Sequence, residues 1–232
     1  MPGQASQIID NLAAGQRVLV LGGMAVIAHG LSRTTEDADI WLEPLENIAA
    51  WCGVVRSAVG PDAGNYFFDV SQHRKIEPEH LEETIDTAGM VRVGGLDRYL
   101  DIFYQPNQLD LEDFETAWSF ATIGLGRARV MDELFLMATK TDTGRTSDHD
   151  DVSFLEKKLR REISSRLVTC SPAEAVHHFS RYLDHTTCKA ALSNPDPAVR
   201  KLGLTGLHEL ADGGNPFAIE VLKSEGKSAR PE

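Results

Sequence analysis

The stretch "VLVLGGMAVIAHGLSRTTEDADIWL", residues 18–42, decides how this chain is read. An apolar, β-branched segment, Val18 to Leu21, stops at Gly22-Gly23. An apolar helical run continues to His29-Gly30, and a polar link then delivers Asp37-Ala38-Asp39 into a second apolar strand, Ile40-Trp41-Leu42. Alternate residues of an extended segment share a face, so Asp37 and Asp39 point together while Ala38 turns into the core. Two neighbouring carboxylates repel, and a cation between them relieves the repulsion. The glycine pair lets backbone N–H groups approach a ligand where a Cβ would clash, and those amides open a helix whose positive end favours phosphate. A phosphate cradle beside a carboxylate pair is equipment for metal-dependent nucleotide chemistry.

Outward from this stretch, the patterning predicts an α/β chain. Short helices are expected over 6–14 and 23–29, and a longer one opened by Pro44 and stopped near Gly60-Pro61. Strands are expected over 17–21, 39–42 and 66–70, with a paired set over 90–93 and 99–104 joined through Gly94-Gly95. The segment 73–87 reads as polar and variable, with a short helix after Pro78. A helix over 130–141 is followed by a charged one, capped by Ser147 or Asp148 and running to about residue 167. From Ser171 only helical patterns appear, and "DPAVRKLGLTGLHELADGGNPFAIEVL", residues 196–222, has the form of a single HEAT-type helix pair with a polar tail after it. The expected organisation is a mixed-sheet core over 1–168 and a helical segment over 169–232.

The stretch 18–42 resembles the signature of the DNA polymerase β-type nucleotidyltransferase superfamily, and is most similar to its minimal and AbiEii-like (abortive-infection) members. A lone Asp-x-Asp is weak, because many strands begin with acidic residues. The ordered combination of strand, Gly-Gly, helix, Arg-x-Thr and Asp-x-Asp strand is far more specific, and Gly22, Gly23, Arg33, Thr35, Asp37 and Asp39 occupy those places. The resemblance covers roughly residues 17–160. It implies transfer of a nucleoside monophosphate from an NTP to an acceptor hydroxyl, with Mg²⁺ or Mn²⁺ held by Asp37 and Asp39 and with Gly22, Gly23, Arg33 and Thr35 near the nucleotide. Two metal ions roughly 4 Å apart need ligands from two directions, and "RYLDIFYQP" supplies Asp101 inside an otherwise apolar strand. Asp97, in the turn before it, is the weaker candidate. "DELFLMATKTDTGRTSDHDDVSFL" resembles the pattern in which a helix-end Lys lies near the triphosphate, and Lys140, Arg145, Asp148 and Asp151 fall on its positions. Lys140 is then a mobile point charge for the triphosphate or the leaving pyrophosphate. Asp148 and Asp151 read as structural. Arg33 either contacts phosphate or holds the loop of the aspartates through a carboxylate.

The resemblance also implies the range of acceptors, namely an RNA end, a protein or a small molecule, and for some members a toxin role with an antitoxin or regulatory protein as partner. The rivals are a degenerate binding or antitoxin-like module, and a small-molecule nucleotidyltransferase of the antibiotic-resistance kind. A net charge of −12 argues against broad binding to long duplex DNA. The basic clusters Arg127/Arg129 and Lys157 to Arg161 remain as local features, the second reading as an exposed helix face. No apolar run reaches membrane-spanning length, the start lacks a secretory pattern, and Cys52, Cys170 and Cys188 form no metal or disulfide framework. A cytoplasmic location is the expectation. His29 reads as a packed helix-end residue, and His177-His178 lacks metal spacing.

Overall fold

The computed structural model describes residues 4–60, 64–124, 126–141 and 143–226; Pro61 and the end of the polar tail lie outside them. Its contacts divide the chain into two units, 1–152 and 153–232. The first is a mixed α/β unit. It contains α1 (Ala5–Ala13), β1 (Val18–Leu21), α2 (Gly22–Ala28), β2 (Asp37–Leu42), α3 (Ile48–Val59), β3 (Tyr66–Asp69), β4 (Arg74–Ile76), α4 (Leu81–Ala88), β5 (Met90–Gly94), β6 (Tyr99–Phe103), α5 (Asp113–Phe120), β7 (Thr122–Ile123), β8 (Arg129–Val130) and α6 (Glu133–Lys140). The helix α7 (Thr146–Lys158) begins in this unit.

The eight strands form one sheet in the order β4-β3-β5-β6-β2-β1-β8-β7. β1 is wholly buried, as its unbroken apolar run requires of a central strand. It runs antiparallel to β2 and parallel to β8, while β2 runs parallel to β6. Outside β6, the strands β5, β3 and β4 are antiparallel neighbours in turn. Val91, Val93, Leu100, Ile102, Phe67 and Ile76 are buried on one face of this outer half. On the other face Trp41 packs edge-on against Phe114 of α5, with ring centres 5.0 Å apart.

Several boundaries differ from the expected ones for local reasons. The helix foreseen from Pro44 starts at Ile48, because Asn47 takes the extended backbone of a cap and its side chain accepts from the Ala50 amide at 2.8 Å. The polar segment 73–87 contributes β4, a short edge strand whose Arg74 and Lys75 are exposed, as edge strands commonly are. Ser147 and Asp148 lie inside α7 rather than capping it.

The second unit is helical. After α7, a π-helical turn over Leu159–Ile163 interrupts the expected continuous helix before α8 (Ser164–Leu167). There follow α9 (Pro172–Arg181), α10 (His185–Ala191), α11 (Pro197–Asp212) and α12 (Pro216–Ser224). Ser171, Asp196 and Asn215 each cap a helix whose first residue is proline, where the missing amide hydrogen is no loss. Leu207 of α11 packs with Cys188, Ala218, Val221 and Leu222 in this unit's core. Buried Asn194 ties the loop before α11 to the Leu167 and Cys170 carbonyls at 2.8 and 3.1 Å.

Candidate active site

The end of β1 and the start of β2 meet because Leu21 pairs with Asp39. The next residue, Gly22, adopts φ +61°, and a Cβ there would collide with the Asp39 carboxylate. A Cβ on Gly23 would lie 2.7 Å from Thr35 Oγ1 and 2.8 Å from Arg33 Nη2. Gly22 is therefore demanded by the close approach of Asp39, and Gly23 gives room to the Thr35 and Arg33 side chains. The helix they open is only seven residues long, so the turn's own amides matter here more than any helix field.

Parallel pairing of β2 with β6 sets Asp39 beside Asp101 and Asp37 beside Tyr99. Asp37, Asp39 and Asp101 each present an oxygen, and these oxygens lie within 4.8 Å of one another. Thr35 Oγ1 donates to Asp37 Oδ1 at 2.8 Å and fixes that side chain. Arg92, opposite Asp101 on β5, donates from Nε and Nη2 to its two oxygens, both at 2.7 Å. Burial, then the negative charges of Asp37 and Asp101, push the Asp39 carboxyl up to about 7, against the pull of Lys140 and Arg92. Burial also holds Asp101 above the ordinary carboxylate range, although the Arg92 fork opposes it. The protein's own cations thus leave this cluster short of positive charge. Three converging hard oxygen donors fit Mg²⁺ or Mn²⁺.

Lys140, at the end of α6, is buried and held between two carboxylates rather than free to swing. Its Nζ lies 2.8 Å from Asp148 Oδ1 and 2.7 Å from Asp151 Oδ2. Thr143 Oγ1 donates to Asp148 Oδ2 at 2.7 Å, and Arg145 Nε approaches the same oxygen at 3.2 Å. Burial alone would raise the Asp148 carboxyl, but these hydrogen bonds and charges outweigh it and hold it below its usual range. Arg33 Nη2 donates to Asp151 Oδ2 at 2.8 Å, so Arg33 ties the loop before β2 to α7 through one carboxylate oxygen. Arg33 Nε and Asp151 Oδ1 are buried without a hydrogen-bond partner among the described residues.

Arg92 escaped the sequence reading. Its signal was a lone cation in "MVRVG", on the alternate positions of a strand facing the strand that carries Asp101. Asp97 lies apart from the cluster and accepts from the Ala5 amide at 2.8 Å. His29 caps α2 and packs against α6, with Nε2 donating to the Met131 carbonyl at 2.8 Å and Nδ1 lying 3.2 Å from Glu133. Of the basic clusters, Arg127 in the first and Lys157, Arg160 and Arg161 in the second are exposed, the second as the expected helix face. Arg129 lies over the Trp118 ring at 4.3 Å, and Arg160 reaches Asp184 at 3.4 Å.

No protein-family model matches the chain, and no curated protein does. Several solved structures are similar to it, among them two from Helicobacter pylori. One is a candidate nucleotidyltransferase from H. pylori, 19% identical over 97% of this chain and 95% of that one, with a TM-score of 0.36. The other is JHP933 from Helicobacter pylori, 19% identical over 96% and 90%, with a TM-score of 0.35. Likeness at this level leaves the chemistry to be read from the site itself. No helix among the described residues is long and apolar enough to cross a membrane.

Proposed function

We propose that the protein is a metal-dependent nucleotidyltransferase, moving a nucleoside monophosphate from an NTP to an acceptor hydroxyl. The observation that carries this is the convergence of Asp37, Asp39 and Asp101 beside a glycine turn that admits no side chain. The three carboxylates would hold Mg²⁺ or Mn²⁺, which when bound neutralises charge developing on the phosphate oxygens. The Gly22 and Gly23 amides would meet the phosphates. Asp101, oriented by Arg92, accepts the acceptor's hydroxyl proton while that oxygen attacks the α-phosphorus; the bond to the β-phosphate oxygen breaks, and pyrophosphate leaves. Lys140 lends its charge to Asp39 from its buried clamp. Thr35 and Arg33 position the acidic segment.

Incubation with α-labelled and γ-labelled NTP separates the readings. Transfer of the α-label to an acceptor, with the γ-label released as pyrophosphate, is expected; γ-label on the acceptor would indicate a kinase. No α-label incorporation across all four NTPs, with RNA, lysate and either metal present, would leave a partner-binding module as the better reading. A cytoplasmic, regulatory or toxin role belongs to the same proposal. It predicts growth arrest on expression that Asp37→Ala with Asp39→Ala abolishes.

A further inference from the structure

Residues paired across neighbouring strands share a face of the sheet. Following the register outward from the carboxylates gives one row: Asp39 of β2, Asp101 of β6, Arg92 of β5, Phe68 of β3 and Lys75 of β4. A second row begins with Asp37 and Tyr99, and ends with Gly94 and Tyr66, because Gly94 follows the Val93–Leu100 pair. Aromatic rings and cations therefore alternate on this face, from the acidic cluster to the edge strand.

These rings are not core. Tyr99 is 48% exposed, one of three large hydrophobic side chains so exposed among the described residues. Lys75 is exposed, and Tyr66, Phe68 and Arg92 are half-buried. The Arg92 guanidinium lies 4.9 Å from the centre of the Tyr99 ring, and Lys75 Nζ lies 3.8 Å from that of Tyr66. The phenol end of Tyr66 occupies the space a Cβ on Gly94 would need, so that glycine lets the ring settle against the sheet.

We infer that this strip is an acceptor track for a single-stranded nucleic-acid end, whose terminal hydroxyl it delivers to the carboxylate cluster. The inference rests on nucleotidyl transfer at Asp37, Asp39 and Asp101. Aromatic faces take bases without regard to sequence, and the exposed Lys75 at the outer end draws the phosphates, whereas Arg92 is committed to Asp101 and backs the Tyr99 ring. On a chain of net charge −12, Lys75 opposes the general repulsion at the end of the strip where a polyanion would enter. From β6 to β4 the strip crosses three strand spacings, about 14 Å, room for about two to four nucleotides. A protein hydroxyl or a compact small molecule has no use for a series of stacking faces.

The test is fluorescence anisotropy of the full chain with an end-labelled single-stranded oligonucleotide bearing a free terminal hydroxyl, as RNA and as DNA, without NTP or metal. Binding is expected, weaker for the corresponding duplex. Tyr99→Ala should weaken it roughly five- to a hundredfold, Tyr99→Phe should restore it, and Lys75→Glu should weaken it and lessen its salt dependence. Calorimetry with NTP and Mg²⁺ should be unchanged by Tyr99→Ala. Loss of NTP affinity with oligonucleotide affinity intact would make Tyr99 the seat of the incoming base and overturn the track. So would wild-type protein that binds no oligonucleotide, or that labels only protein. Failure of the transfer reading shows separately, as NTP binding that survives Asp37→Ala with Asp39→Ala.

Discussion

At Gly22 the backbone turns into the left-handed region while the Asp39 carboxylate fills the space a side chain would need. Gly22→Ala combines backbone strain with a clash, and should lower stability by about 1–3 kcal/mol. It should also abolish NTP binding in calorimetry, since the alanine can be relieved only by displacing Asp39. Asp39 itself sets a pH dependence. Its folded value of about 7 lies above the ordinary 3.8, so the native state keeps a proton that the unfolded chain releases. The associated stability is fully present below about pH 4, and is lost as the pH rises through about 7. Asp39→Asn removes this loss, and should be more stable than wild type above about pH 7 by on the order of 1–4 kcal/mol. Thermal melts of the pair across that window measure it; parallel curves would show that Asp39 is not under strain.

The link between α6 and α7 is built around one cation. Lys140 faces Asp148 and Asp151, and Arg33 joins the same group through Asp151. Buried ion pairs are poor sources of net stability, yet breaking one strands the remaining charge. Lys140→Met should therefore destabilise by about 3–5 kcal/mol. Adding Asp148→Asn to it should recover part of that loss in denaturant unfolding, while Asp151 keeps Arg33 as its partner. Recovery of folding without recovery of nucleotide transfer would separate Lys140's structural part from its charge effect on Asp39. If Lys140→Met is no less stable than wild type, the clamp does not hold these helices.

For the molecule as a whole, ligation is coupled to folding through residues distant in sequence: Gly22 follows β1, Asp39 lies in β2 and Asp101 in β6. A ligand that binds only this assembled site stabilises the native state by mass action, by about 2.7 kcal/mol at a hundredfold excess over Kd. NTP with Mg²⁺ should raise the melting temperature of the wild type, and leave the variant carrying Asp37→Ala and Asp39→Ala unmoved. Equal shifts in both would move the nucleotide site away from these carboxylates.

The mixed α/β class and most strand positions follow from the sequence alone, because apolar alternation and glycine punctuation are local properties. The glycine turn and the Asp-x-Asp strand were legible for the same reason: backbone freedom and the period of two act within a few residues. The helix starts of the second unit carry their caps in the sequence, as Ser171-Pro172, Asp196-Pro197 and Asn215-Pro216. Tertiary structure decided what depends on register. The pairing of β5 with β6 puts Arg92 on Asp101, and that of β2 with β6 puts Asp101 beside Asp39. The packing of α7 turns Lys140 from a mobile charge into a clamped one. A strand's sequence states which residues share a face, whereas only its neighbours fix which charges meet there, and a one-residue slip would send each of these side chains to the opposite side.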